Sequence, residues 1–518
     1  MNKNNQDHKI LFELPSKVRN NNAKFGTLYF YIMQGILIGI YSSNLEVFRR
    51  VLNLSDFTTG LVGSFVAIGY CIAAPTSASI SSYIGSKLTA LISSQMYSIA
   101  LGVVGICGNI HTSNAYYLAF SLFLFGFCLG IMDIAANSQG ILVEICSNES
   151  LFGLFHGSYA LAVAMGTVIG GFTLYFTGDE GSLYLCIISG IIVGALAYPC
   201  SRPYLYNVEY EHGIEIRKNI SNNNNNNNND NNNNNTMMAN STVNDNYNDN
   251  HDSITSSLLI NPTNINNNNN SNNNKNSDKN DQENDDTLNT CMQCILAAIA
   301  LKFYCMIGCL GSFAEGGLIV WAPEFFGTYL NTNLITKQLG LAAYMVGEAI
   351  GRMYFVDKLR QKLGRSKLVL YSGLLSIISA AGGLLTPYLP EIIQVPFATI
   401  FFCCFGLGTS PWIPIAYSSS GHSTDNTQAA LGSVAFCTDS GSIAGPFVIG
   451  TVSLLMGGLQ AALLVATGII SCVIPISSYL PHEKEIFQLN GINISDDVNN
   501  DGEEEEEEVN SMRRNEDV

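Results

Sequence analysis

Apolar residues in this chain come in long unbroken runs, not in the short alternations of a strand or the one-sided stripes of a soluble helix. The runs lie near 25–47, 58–80, 85–107, 115–138, 151–176 and 181–201, and then near 291–325, 336–357, 367–387, 391–418, 428–456 and 458–480. Each reaches the roughly 20 residues that an α-helix needs to cross a hydrocarbon core about 30 Å thick. In such a core every backbone N–H and C=O must be satisfied within the chain, which a helix does by itself. The pattern predicts an all-α membrane protein of twelve spanning helices, six on each side of a break.

The break is a different polymer. Pure Asn tracts occupy 222–229, 231–235 and 266–270, with Asp, Ser and Lys between them. Such a stretch buries too little apolar surface to offset its chain entropy. Residues 203–288 are therefore expected to be a disordered tether between a first bundle, 25–202, and a second, 289–481. The polar tail 1–24 has no signal-peptide pattern, so the first run reads as a retained anchor. The tail 482–518, with its run Glu503–Glu508, is expected to be disordered and acidic.

The two sets of six repeat one another. Leu54–Gly60 precedes the second run as Leu334–Gly340 precedes the eighth, at an offset of 280. Gly85-Ser-Lys87 opens the third as Gly364-Arg-Ser-Lys367 opens the ninth, and Gly166–Gly171 in the fifth matches Gly445–Gly450 in the eleventh, both at 279. A constant offset means matching helix and loop lengths, hence two pseudo-symmetric six-helix bundles. Parallel repeats of this kind are one architecture of secondary transporters, with the solute site between them near mid-membrane.

Charge adds orientation and excludes several classes. Only 13% of the chain is charged, against about 25% in a soluble protein. The net charge of −17 describes the appendages rather than the bundle. No Lys/Arg cluster marks a nucleic-acid surface. With the N-terminus inside, short inner segments hold eleven basic residues and outer loops only Arg49 and Arg50. That bias places both termini, and the tether, in the cytoplasm. The 14 Cys show no disulfide framework. Cys291, Cys294, Cys305 and Cys309 share one apolar run without a nearby His and read as small buried hydrophobes. No cofactor loop, nucleophile triad or metal cluster is visible, so neither an enzyme nor a cofactor or metal site is expected. Asn53-Leu-Ser55 is a glycosylation sequon in a short outer loop.

Several blocks resemble a known family. Gly351-Arg352-Met-Tyr-Phe-Val-Asp357-Lys-Leu-Arg-Gln-Lys-Leu-Gly364-Arg365 resembles the basic loop motif of the major facilitator superfamily, with a degenerate first-half copy that has Ser82 for the family's Asp. Gly130-Ile-Met-Asp133-Ile-Ala-Ala-Asn137 with Phe155-His156-Gly157-Ser-Tyr159-Ala, and Glu315-Gly-Gly-Leu-Ile-Val-Trp321, are similar to the fungal "bypass of stop codon" transporters and related bacterial inner-membrane carriers. The Asp133…Asn137 block also resembles the helix-four Glu…Asn of the L-fucose–proton symporter. That symporter's helix-one carboxylate has no match in Ser42-Ser-Asn44-Leu-Glu46. The resemblance implies twelve helices, alternating access and a small-molecule solute.

The candidate chemistry is a set of ionisable groups inside apolar runs, each costing about 2.5–3.5 kcal/mol at bilayer centre on insertion scales and so expected to face protein or water. Asp133 reads as a proton acceptor or solute partner, or else as a neutral Asp bonded to a neighbouring helix. Asn137, one turn on, shares its face. His156 titrates in the physiological range and reads as a relay partner of Asp133 or as a satisfied structural His. Glu315 is followed by Gly316-Gly317, a candidate hinge. Asp439 is either functional or captured by Thr438 and Ser440. Gln34 and Trp412 are assigned to the cavity wall, and Trp321 to the outer aromatic belt. Glu348 and Arg352, at i and i+4, read as a gating pair, joined by Asp357 and Arg365 of the basic loop. The leading function is secondary transport of a small polar solute such as a sugar, with protons as coupling ion, by a monomer in the plasma or a vesicular membrane. A non-transporting receptor on the same scaffold and an exporter of amphipathic compounds are the alternatives.

Overall fold

The computed structural model describes residues 17–109, 114–147, 151–202, 204–206, 278–420 and 427–480. Among them all regular structure is helical: α1 (Lys17–Val51), α2 (Asp56–Ile84), α3 (Ser86–Asn109), α4 (Ala115–Ser147), α5 (Phe152–Thr177) and α6 (Glu180–Ser201) form the first half. The second half holds α7 (Asp278–Tyr329), α8 (Leu339–Ile350), α9 (Val356–Leu385), α10 (Glu391–Thr409), α11 (Trp412–Ser420), α12 (Thr427–Met456), α13 (Leu459–Ile470) and α14 (Val473–Ser477). A 3₁₀ turn, Thr336–Gln338, leads into α8, and a π-turn, Gly351–Phe355, joins α8 to α9.

Among the described residues eleven segments are long and apolar enough to cross a membrane, one of them the 53-residue Thr336–Tyr388. At 1.5 Å per residue that segment would be about 80 Å long, far more than one bilayer core. It folds back at Gly364, whose φ of 74° and ψ of 166° no helix contains. The result is twelve spans. α7 begins at Asp278, inside the stretch expected to be unstructured, because adding turns to an existing helix is far easier than nucleating one. The rest of that stretch, and the tail beyond 480, lie outside the described residues.

The repeat is written in the backbone. Six described residues have φ in the left-handed region, and they form three pairs: Asn53 with Asn331, Gly85 with Gly364, and Gly178 with Gly457. The members of each pair are 278, 279 and 279 residues apart. Each pair closes the same turn in the two halves. Packing repeats as well. α2 lies on α4 where Gly69 and Gly126 leave no room for a Cβ beside the opposite backbone; α8 lies on α10 through Gly347 and Gly406. α1 meets α5, and α7 meets α12 at Gly316, Gly441 and Gly445. Gly316 makes a close contact with Ser442 within a continuous α7. Small residues let helices approach where lipid supplies no hydrophobic drive.

The first half, and the second half from Gln293 onward, belong to one compact unit. They meet along two seams, α2 against α12 and α5 against α8. Large apolar side chains such as Ile99, Phe120, Ile191, Ile378 and Ile400 are exposed on the bundle surface, as lipid-facing positions should be. Trp321 is not among them. It is fully buried and donates its indole N–H to Pro446 O at 3.2 Å, so it packs α7 on α12 instead of joining an aromatic belt.

Candidate functional site

Two polar centres lie inside the bundle. The first is built on α4. Tyr70 of α2 donates its hydroxyl to Asp133 Oδ2 at 2.5 Å. Asn137 donates Nδ2 to the same oxygen at 2.9 Å. Asn137 Oδ1 accepts from the Tyr31 hydroxyl of α1. Gln34, three residues beyond Tyr31, is buried with its Nε2 left without a hydrogen-bond partner. Oδ2 of the carboxylate thus accepts from one hydroxyl and one amide.

Asp439 of α12 stands across the α2–α12 seam, close enough for its charge and that of Asp133 to act on each other. Tyr70 and, on α11, Tyr417 lie within reach of both. Asp133, Asn137, Tyr70, Tyr417 and Asp439 are all partly buried residues within apolar helices. The expected capture of Asp439 by neighbouring hydroxyls does not occur: Ser440 donates to Phe436 O at 2.7 Å, one turn back on its own helix.

The second centre is built on α7 and α8. Arg352, in the π-turn, donates through Nη2 to Glu348 Oε1 at 2.6 Å and to Glu315 Oε2 at 3.4 Å. Their side chains are only 3%, 1% and 13% exposed, so all three are held inside the protein. Glu348 Oε2 and Arg352 Nε find no hydrogen-bond partner. The residues expected at a gate are therefore spread over three places. Glu348 and Arg352 join Glu315 in a buried triad. Asp357 forms a 3.8 Å pair with Arg360 beside Gly153 of α5, and Arg365 is buried beyond the Gly364 kink.

α5 connects the centres. His156 packs edge-on against Tyr31 at 5.3 Å, stacks on Phe152 at 5.8 Å and feels the charge of Arg352. Tyr159, one turn on, feels Glu315, Glu348 and Asp133. Trp412 takes no part. It is fully buried with its indole N–H on Ser372 Oγ at 2.9 Å, so it is a packing residue and not a cavity wall. Sequence reasoning missed Tyr31, Tyr70, Tyr159 and Tyr417. The one available signal is that Tyr70 falls in the middle of its apolar run, away from the membrane edges where tyrosine is enriched; Tyr31 and Tyr417 lie toward the ends of theirs.

At the end of the bundle that carries the α1–α2 turn, ion pairs tie the halves together. Arg49 bridges Asp56 and, at 2.5 Å, Glu324 of α7. Lys337 pairs with Glu46, and Ser453 of α12 donates to Asp56 at 2.8 Å. A cavity of about 530 Å³ opens beside them, lined in part by Glu46, Tyr175, Glu324 and Lys337. Glu46 is thus committed here and does not replace a mid-membrane acid. Among the described residues no group of three or more His, Cys, Asp or Glu is placed to hold a metal ion.

A family profile described as Major Facilitator Superfamily matches residues 25–446. An uncharacterized transporter of Sinorhizobium fredii is 23% identical over 170 residues, covering 33% of this chain and 43% of that protein, less than half its length. An uncharacterized MFS-type transporter of Yersinia pestis is 19% identical over 426 residues, 82% of this chain and 87% of that one. Two crystal structures of the nucleoside transporter NupG superpose on the chain, a point mutant with a TM-score of 0.58 at 11% identity and a second structure with 0.52 at 12% identity. Both cover 89% of this chain and 100% of theirs.

Proposed function

Because the chain belongs to the Major Facilitator Superfamily, we propose that this membrane transporter carries a small polar solute by alternating access, holding it between Asp133 and Asp439. The observation that supports this reading is the presence of two partly buried acids within apolar helices, one from each half and electrostatically linked, on either side of the α2–α12 seam. In that cycle the α1–α2 end is the outer end, since the basic-residue bias places both termini and the 203–288 tether in the cytoplasm. Arg49–Glu324 and Lys337–Glu46 then hold the outer side shut. Asp133 and Asp439 take and release the coupling proton, and His156 with Tyr31 and Tyr159 links them to the Glu315–Arg352–Glu348 triad. The membrane is the plasma membrane or a vesicular one.

The hydrogen-bond chain Tyr70–Asp133–Asn137–Tyr31 favours a second reading of the solute. It suits a hydroxylated molecule, in line with the likeness of Asp133…Asn137 to the L-fucose–proton symporter and the narrower likeness to the fungal carriers. The test is a flux screen of the purified protein in liposomes against a metabolite library at two pH values. Saturable flux of one solute class, stronger with an imposed proton gradient, is expected. Folded protein that moves nothing would leave the receptor reading in its place.

A further inference from the structure

The basic run at the start of α9 belongs to neither polar centre. Lys358, Lys362 and Lys367 are exposed, and none of the three pairs with a described acid. The acid beside them, Asp357, is taken by Arg360 at 3.8 Å, and Arg360 also reaches Ser418 Oγ at 3.5 Å. Lys358 and Lys362 stand at i and i+4, where like charges on a helix repel. Exposed lysines alone need no partner, since water solvates them. What singles out this run is where the chain goes next.

Ser366, inside the run, donates its hydroxyl to Ser477 O at 2.7 Å. Ser477 ends α14, and Leu480 is the last described residue. The chain therefore leaves the bundle beside Lys367. Beyond that exit the sequence places six consecutive glutamates, Glu503–Glu508, twenty-three residues after Leu480. A chain of that length spans at most about 80 Å, far more than is needed to return to the run. Covalent attachment over such a length holds the glutamates near the lysines at an effective concentration of order millimolar. Contacts too weak to hold a free anion are enough for a tethered one.

We propose that the acidic segment Glu503–Glu508 docks on Lys358, Lys362 and Lys367. Opposite charge, the exit of the chain at Ser477 and the length between them all favour this occupant. The docked segment neutralises the repelling i and i+4 lysines. It also lies next to the α5–α8 seam. The run follows directly on the π-turn, and there the Arg352 carbonyl leaves no room for a Cβ on Gly153 of α5. The contact does not depend on what the protein carries, nor on which side of the membrane this end faces, because the Ser366–Ser477 bond puts run and exit at the same end.

The test is zero-length carbodiimide coupling, which joins a lysine amine to a carboxylate in contact with it. It is run on the full-length purified protein in neutral detergent at low salt and read by mass spectrometry of the monomer band. Peptides joining Glu503–Glu508 to Lys358, Lys362 or Lys367 are expected, with a yield that falls at least fivefold in about 0.5 M salt. Lys362→Gln should lower coupling at Lys358 and Lys367 at least twofold, and Lys362→Arg, which keeps the charge, should restore it. No coupling of the glutamates, or coupling spread evenly over all accessible lysines, overturns the proposal. Coupling of the three lysines to Asp281–Asp286 of α7 in place of the tail overturns it as well. Coupling should persist in vesicles of phosphatidylcholine with phosphatidylserine. Its loss there, with survival in phosphatidylcholine alone, assigns the lysines to anionic head groups and overturns the tail as their occupant.

Discussion

In the first half the partly buried acid, Asp133, accepts from a hydroxyl and an amide; in the second, Glu315 and Glu348 are held by a guanidinium. The backbones around these centres are copies of one another. Left-handed turns pair at offsets of 278 and 279, and glycines allow the same close contacts in α2–α4 as in α8–α10. The chemistry is not copied. The residue 279 positions after Asp133 is Trp412, which packs on Ser372. The residues 279 positions before Glu348 and Arg352 are Gly69 and Ala73. Repetition has kept what lets helices approach and turn, and has let the charges diverge. The two halves therefore hold different jobs on one scaffold.

The comparison breaks most easily at Arg352. Removing one partner of a buried ionic cluster leaves uncompensated charge and costs about 3–5 kcal/mol. Arg352→Met should lower the folded yield and unfolding midpoint severely, and Glu348→Leu added to it should recover part of the loss. Asp133→Asn should be far milder, because its neighbours can still hydrogen-bond to an amide. Equal damage from Arg352→Met and Asp133→Asn would erase the distinction between an ionic and a hydrogen-bonded centre.

The shared scaffold is tested by Gly126→Val and Gly406→Val. Each adds bulk where a helix backbone already lies in contact, at a cost of about 1–3 kcal/mol or more. Similar losses are expected in both halves, read as the midpoint of denaturant-induced unfolding. A neutral result in one half alone would show that the packing is not truly repeated. The smallest effect belongs to the ion pairs at the α1–α2 end, whose side chains are 22–30% exposed for Arg49, Asp56 and Glu324. A double-mutant cycle of Arg49→Ala and Glu324→Ala should give a coupling of about 0.2–1 kcal/mol that shrinks with added salt. A coupling of zero would remove Arg49–Glu324 from the ties between the halves.

What was legible in the sequence follows the same division. Spans, repeat and turns could be read because each depends on local pattern: twenty apolar residues, a glycine before Ser-Lys, a recurring offset. Which side chains meet across helices could not. Tyr70 and Asp133 are 63 residues apart, and Arg352 and Glu315 are 37 apart, so no local signal pairs them. Glu348 and Arg352 at i and i+4 looked like a self-contained pair because the third member lies on another helix. Trp321 and Trp412 were placed by residue type, yet tertiary contacts with Pro446 and Ser372 decide their positions.

The most direct test of the account is transport by purified Asp133→Asn in liposomes, measured as uphill uptake and as exchange at equal concentrations, each normalised to folded protein. Asn keeps the size and hydrogen bonding of the side chain but cannot take up and release a proton. The account predicts that accumulation against a gradient falls at least tenfold while exchange at saturating solute survives in part. Uphill uptake near that of the wild type, or a loss of both activities in step with folded yield, would contradict it.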